Sequence, residues 1–222
     1  MKLRSYIRLI VYILLVAAIL FISAGRLDWI IAWVFLGIYI LIILISLIFV
    51  DPELIEERSH IGLGAKKWDL VLASLTVVFL FPLTFLIAGL DAGRFHWSPP
   101  FPVWVQLLAL VIYVMGSAIT SWAMVVNKFF STVVRIQTER GHYVVTSGPY
   151  RYVRHPGYTG AIIVSISIPL ILGSLWAYIP ALIGDCILVI RTVLEDNTLK
   201  KELEGYDEYA TRVRHRLLPG IW

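Results

Sequence analysis

Four stretches of the chain contain no charged residue: between Arg8 and Arg26, between Asp28 and Asp51, between Asp69 and Asp91, and from Trp97 to Asn127. A helix needs about 20 apolar residues, at a rise of roughly 1.5 Å each, to cross the hydrocarbon core of a bilayer, and each stretch comes close to that. Inside lipid every backbone amide must be satisfied within its own segment, so runs of this kind fold as helices. Composition agrees, because 59% of the 222 residues are hydrophobic and the mean hydropathy is +0.82, whereas a soluble globule is roughly 45–50% apolar. The first run follows Lys2, Arg4 and Arg8 without a small-residue cleavage site before Arg26, and reads as a retained span.

The stretch from Gly157 to Ile190 is too long for one span. Pro169, Gly173-Ser174 and Pro180 interrupt it, which predicts a helical hairpin turning at Gly173-Ser174. Six crossings would then put 17 of the 19 Lys+Arg on one side, leaving only Arg26 and Arg94 on the other. A single crossing would strand six basic residues outside, against the positive-inside rule. The expected fold class is therefore an all-α integral membrane protein of about six transmembrane helices. A cytoplasmic loop and a C-terminal helix would form the functional site, with both termini cytoplasmic. The expected division is a four-helix part over 1–126 and a catalytic unit over 127–222.

Several function classes are excluded by what is missing. The net charge of +4 is spread over short segments rather than gathered in a patch, which argues against nucleic acid. One cysteine, Cys186, rules out a disulfide framework and reads as a small core residue. The five histidines are scattered and there is no H-E-x-x-H, so no metal is expected. Nor is there a G-x-G-x-x-G or a Walker A sequence to cradle a nucleotide's phosphates. Asp51 to His60 reads as a short amphipathic helix at the headgroups, and His96 to Pro102 as an aromatic interface cap without chemistry.

Chemistry concentrates in Gly148-Pro149-Tyr150-Arg151-Tyr152-Val153-Arg154-His155-Pro156-Gly157-Tyr158, a basic, Gly/Pro-shaped loop between apolar runs. The residues alone fit either membrane-interface anchors or a binding loop. Beyond the hairpin, Arg191 and Glu195 share a helix stripe with Leu199, which suits an ordinary surface pair or a shared functional face. Asp185 is the one acid inside a span, where acids face an interior or a cavity.

The run His142-Tyr143-Val144-Val145-Thr146-Ser147-Gly148-Pro149-Tyr150 is followed by Arg154-His155-Pro156-Gly157-Tyr158, then Arg191, Glu195, Leu199, Tyr206, Tyr209 and Arg216-Leu217-Leu218-Pro219. Together these resemble the isoprenylcysteine carboxyl methyltransferase family from about Asn127 onward. Thr192-Val193-Leu194 thins the acidic run that the family carries after the arginine. The resemblance implies methyl transfer from S-adenosyl-L-methionine to a lipid-tailed acceptor from the bilayer, at the cytoplasmic face. It also implies a cofactor pocket of Gln137, His142, Tyr143, Val144, Val145, Tyr150, His155, Pro156, Gly157, Tyr158 and Glu195, with Arg191 facing the acceptor's carboxylate. An arginine grips a carboxylate bidentately, and an ionised carboxylate needs no general base. Three alternatives stay open: an NADPH-dependent sterol-type reductase with a similar Arg-His-Pro-Tyr loop, a phospholipid N-methyltransferase, and a non-catalytic scaffold.

Overall fold

The computed structural model describes residues 3–58, 62 and 64–222, with the backbone alone for residues 3–6. Lys2, Ser59, His60 and the side chain of Arg4, used in the charge and motif readings above, lie outside the described residues. The elements are α1 (Leu3–Ala24), α2 (Ile30–Phe49), α3 (Pro52–Glu57), α4 (Lys67–Val78), α5 (Thr84–Ala88), α6 (Val103–Val126), α7 (Pro156–Leu172), α8 (Tyr178–Glu202) and α9 (Tyr206–Arg212). Two π-helical turns, Phe79–Leu83 and Gly89–Phe95, extend α4 and α5 into one rod, Lys67–Phe95. The first of them contains Pro82, which lacks the N–H that a regular helical ladder needs there.

Four helices are long and apolar enough to cross a membrane: Ile7–Ala24, Ile30–Phe49, Lys67–Phe95 and Val103–Val126; Pro156–Leu172 is a shorter apolar helix. Among the described residues there is no strand, and the chain is an all-α, multi-pass membrane protein. Ile10, Leu14, Ile22, Ile30 and Ile48 lie exposed on the outer faces, where lipid would cover them. In that setting inward-facing residues gain from packing rather than from leaving water. Phe35 sits at the centre of the core, with its ring centroid 5.6 Å from Phe85 and 5.4 Å from Tyr113.

The expected hairpin is present, formed by α7 and α8. Its turn is made at Gly173, whose φ of +75° is left-handed, and Ser174 N–H donates to the Pro169 carbonyl at 2.9 Å. Ser165 Oγ donates to Asp185 Oδ1 at 2.6 Å, tying the two arms together. Helices α6 and α7 touch backbone to backbone: a Cβ on Gly160 would lie 2.6 Å from the Gly116 carbonyl oxygen. Small residues at such a crossing let helices in lipid approach closely.

At the turn end of the hairpin, Asp91 accepts from Ser98 N–H (2.7 Å), Ser98 Oγ (2.6 Å) and Ser174 Oγ (2.5 Å). The 96–102 cap is thus pinned to the hairpin by one buried carboxylate. Two expectations need correction. Cys186 is exposed on α8 rather than packed in the core, because the buried stripe of that helix runs through Ala181, Gly184, Asp185 and Leu188. The helix after Asp51 is not a free headgroup helix. Asp51 caps it through Glu53 N–H (2.8 Å), Leu54 is buried, and Glu57 pairs with Arg135 at 2.6 Å, docking α3 onto the loop that follows α6.

Candidate functional site

The loop after α6 and the C-terminal half of α8 meet at the end of the hairpin opposite Asp91. His155 precedes Pro156, whose fixed φ suits the first position of α7. One turn later Tyr158 Oη donates to Glu195 Oε2 at 2.5 Å, joining α7 to α8 across 37 positions of sequence. The rings of His155 and Tyr158 stack with centroids 5.7 Å apart. Gly157 lies beneath the Phe130 ring, which a Cβ there would strike.

The C-terminal tail closes over this corner. Arg154 and His155 N–H groups donate to the carbonyls of His215 (3.0 Å) and Arg216 (2.9 Å), and Tyr209 Oη donates to the Tyr150 carbonyl at 2.8 Å. Asp196, next to Glu195 but a step further round the helix, gathers the tail. It receives Arg154 Nε and Nη2 (2.7 and 2.9 Å), Arg216 Nε (3.0 Å) and Tyr206 Oη (3.0 Å) while fully buried. Burial alone would raise its pKa, but the basic groups around it hold it well below the ordinary carboxylate range.

Between these parts runs a narrow cavity of about 90 Å³ whose lining mixes polar and apolar side chains and is polar only by contrast with a larger cavity at membrane level. Of the residues expected in the cofactor pocket, His142, Tyr143, Val144, Val145, Tyr150, His155, Gly157, Tyr158 and Glu195 line it. His155 Nε2 is buried and, among the described residues, makes no hydrogen bond; Asp196 Oδ1 lies 3.5 Å from it. Glu195 makes no ion pair among the described residues, so its charge is available to the cavity. His142 is pushed down to about 4 by burial, then by the charges of Arg135 and Arg140, so its ring is neutral at pH 7. As a neutral ring its Nδ1 accepts from Gln137 N–H at 3.2 Å.

Three expected residues stand elsewhere. Gln137 is fully buried behind the wall: its Nε2 donates to the Phe129 carbonyl (2.9 Å) and its Oε1 accepts from Arg140 (2.7 Å). It braces the loop instead of lining the cavity. Pro156 is buried at the start of α7 and sets the direction of its neighbours. The guanidinium of Arg191 is committed through two of its nitrogens: it forms a two-pronged pair with Asp69 (Nε–Oδ1 2.6 Å, Nη2–Oδ2 3.0 Å) and donates to the Thr132 carbonyl at 2.8 Å. It lies 5.4 Å from the Tyr158 ring centroid and supports that ring. The sequence reading missed Asp69 and Asp196, whose partners lie 122 and 42 positions away. An acid at the edge of an otherwise uncharged span was the available signal for Asp69.

A second cavity of about 750 Å³, nearly all apolar, lies at membrane level among α1, α2, α6 and α7. The segment 129–135 partitions the two spaces. Phe130, Ser131 and Val133 face the polar cavity, and Thr132 faces the apolar one.

The model of the isoprenylcysteine carboxyl methyltransferase family matches residues 107–201. The chain is 27% identical over 162 residues to protein-S-isoprenylcysteine O-methyltransferase B of Arabidopsis thaliana, covering 68% of this chain and 78% of that protein. It is 29% identical over 120 residues to a probable protein-S-isoprenylcysteine O-methyltransferase of Oryza sativa subsp. indica, covering 53% of this chain and 62% of the relative. A Delta(14)-sterol reductase of Mus musculus is 33% identical over 90 residues, 39% of this chain but only 22% of the reductase.

Proposed function

The chain belongs to the isoprenylcysteine carboxyl methyltransferase family, and from that premise we propose that it transfers a methyl group from S-adenosyl-L-methionine to the carboxylate of a lipid-tailed acceptor in the bilayer. The observation that carries this reading is the meeting of His155, Tyr158 and Glu195 in one polar cavity, separated by a single wall from a large apolar one. The catalytic unit is residues 127–222, with the site on the basic, cytoplasmic side.

The donor set fits a cationic amino-acid nucleoside. Glu195 offers a carboxylate with no ion-pair partner among the described residues, and His155, Tyr143 and Tyr150 offer ring surface. Ligand cavities of this class run to about 300–1,000 Å³, so binding must part the walls of a space of about 90 Å³. The wall best able to move is 143–146, which carries no backbone hydrogen bond among the described residues. When bound, the cofactor supplies a methyl carbon to a carboxylate oxygen, with the C–S bond breaking as the C–O bond forms and the electron pair remaining on sulfur. The protein's tasks are then positioning and electrostatics rather than proton transfer. Glu195 offsets the cofactor's positive charge, and Tyr158 holds Glu195 in place through its hydroxyl. Arg191, bound to Asp69, fixes Tyr158 from behind.

The sterol reductase relative favours one second reading, an NADPH-dependent reduction. Titration of the full chain with each cofactor, followed by tryptophan fluorescence, separates the two. A saturable response to S-adenosyl-L-methionine is expected; a response to NADPH with none to S-adenosyl-L-methionine would hand the chain to the reductases.

A further inference from the structure

Resting on the methyl-transfer reading, we propose that Arg58, rather than Arg191, binds the anionic head of the acceptor, and that the apolar cavity holds its tail. The other arginines nearest the polar cavity are already paired with carboxylates. Arg191 is paired with Asp69, Arg154 and Arg216 with Asp196, and Arg135 with Glu57 and Glu139. Arg58 differs. It ends α3 at the edge of the apolar cavity, where Nη1 donates to the Phe130 carbonyl at 3.1 Å and the guanidinium lies 5.1 Å from the Phe130 ring centroid. Among the described residues it meets no carboxylate.

Arg58 is half-buried; an arginine drawn partly out of water without a counter-charge is costly, and its usual remedy is an anion. Burial lowers its pKa, and the neighbouring charge of Arg191 adds to that effect. The walls of the cavity name the rest of the ligand. Tyr39, Ile43, Phe81, Tyr113 and Met124 are apolar or aromatic, and the charged lining residues among those described are Arg8 and Arg58, both basic. That combination suits a single-tailed amphiphile with an anionic head and repels a cationic one. Position completes the case. Arg58 is hydrogen-bonded to the partition itself, at Phe130, and its charge is felt at Tyr150 and Tyr158 on the other side. An anion held there is presented to the polar cavity, while its tail lies at membrane level.

The test uses the full chain in detergent and measures binding of N-acetyl-S-farnesylcysteine and of its neutral carboxamide, alongside S-adenosyl-L-methionine. Wild-type protein should prefer the carboxylate to the amide by about tenfold or more, the scale of one charge-assisted pair. Arg58→Gln, which can keep the hydrogen bond to Phe130, should lose that preference, and Arg58→Lys should restore part of it; all three proteins should bind S-adenosyl-L-methionine alike. A carboxylate preference that survives in Arg58→Gln, or wild-type protein that binds neither farnesyl compound, overturns the assignment of Arg58. Wild-type protein that fails to bind S-adenosyl-L-methionine while Arg58 still sets the carboxylate preference overturns the methyl-transfer reading and leaves the anion site standing.

Discussion

The two ends of the α7–α8 hairpin use carboxylates in opposite ways. At the turn, Asp91 is surrounded by neutral donors from Ser98 and Ser174, and both of its oxygens are taken. At the other end, Glu195 and Asp196 sit side by side on α8 and divide the work. Asp196 is enclosed by arginines and fully buried, whereas Glu195, among the described residues, keeps a single hydrogen bond, to Tyr158, and faces a cavity. The difference teaches where to look for chemistry: a carboxylate whose partners are all supplied by the chain is structural, and one left short of partners beside a cavity awaits a ligand.

Removing a structural partner should have the largest effect. Asp196→Ala strands Arg154 and Arg216 and should cost about 3–5 kcal/mol, and Arg191→Ala should cost a similar amount by leaving Asp69 buried and unpaired. Thermal unfolding in detergent measures both. Stability within about 1 kcal/mol of wild type would show that these pairs are less buried in lipid than they are here. Next comes Asp91→Asn, expected to lose about 1–3 kcal/mol through its broken hydrogen bonds while cofactor affinity stays at the wild-type value. If affinity fell together with stability, the two ends would not be separable. Gly157→Ala should reduce cofactor affinity with a smaller stability change, since the added methyl displaces Phe130 from the partition.

The smallest effect is that of pH. His142 is held near 4 in the folded protein, against roughly 6.5 for a free histidine. The unfolded chain therefore takes up this proton first as pH falls. Its contribution to stability is fully present above about 6.5, and declines as pH drops from there toward 4. Cofactor affinity of the folded protein should weaken only as pH falls through about 4, where the ring itself protonates and can no longer accept from Gln137 N–H. In His142→Gln this part of the acid sensitivity should vanish.

Much of the architecture was legible in the sequence because its causes are local. Uncharged runs make spans, a left-handed glycine four residues after Pro169 makes the hairpin turn, and Pro156-Gly157 starts a helix under an aromatic ring. The polar loop also announced itself, since eight of its expected cofactor residues and their α8 partner Glu195 do not scatter but line one cavity. What stayed hidden depends on distant pairing. Nothing around Asp69 indicates that it meets Arg191, so a guanidinium expected to be free for the acceptor is occupied. Gln137 shares a loop with true wall residues yet points behind them, and Cys186 sits on an apolar helix whose outer face is apolar too. Arg58 looked like a charge at the headgroups until α3 was found docked against the loop.

Whether Glu195 meets a positive charge in the polar cavity is decided by calorimetric titration of wild type and Glu195→Gln with S-adenosyl-L-methionine. The substitution keeps an acceptor for the Tyr158 hydroxyl and removes only the charge. Saturable binding to wild type is expected, with a loss of affinity of about tenfold or more in the variant, the scale of one charge-assisted contact. Equal affinity in the two proteins would contradict it.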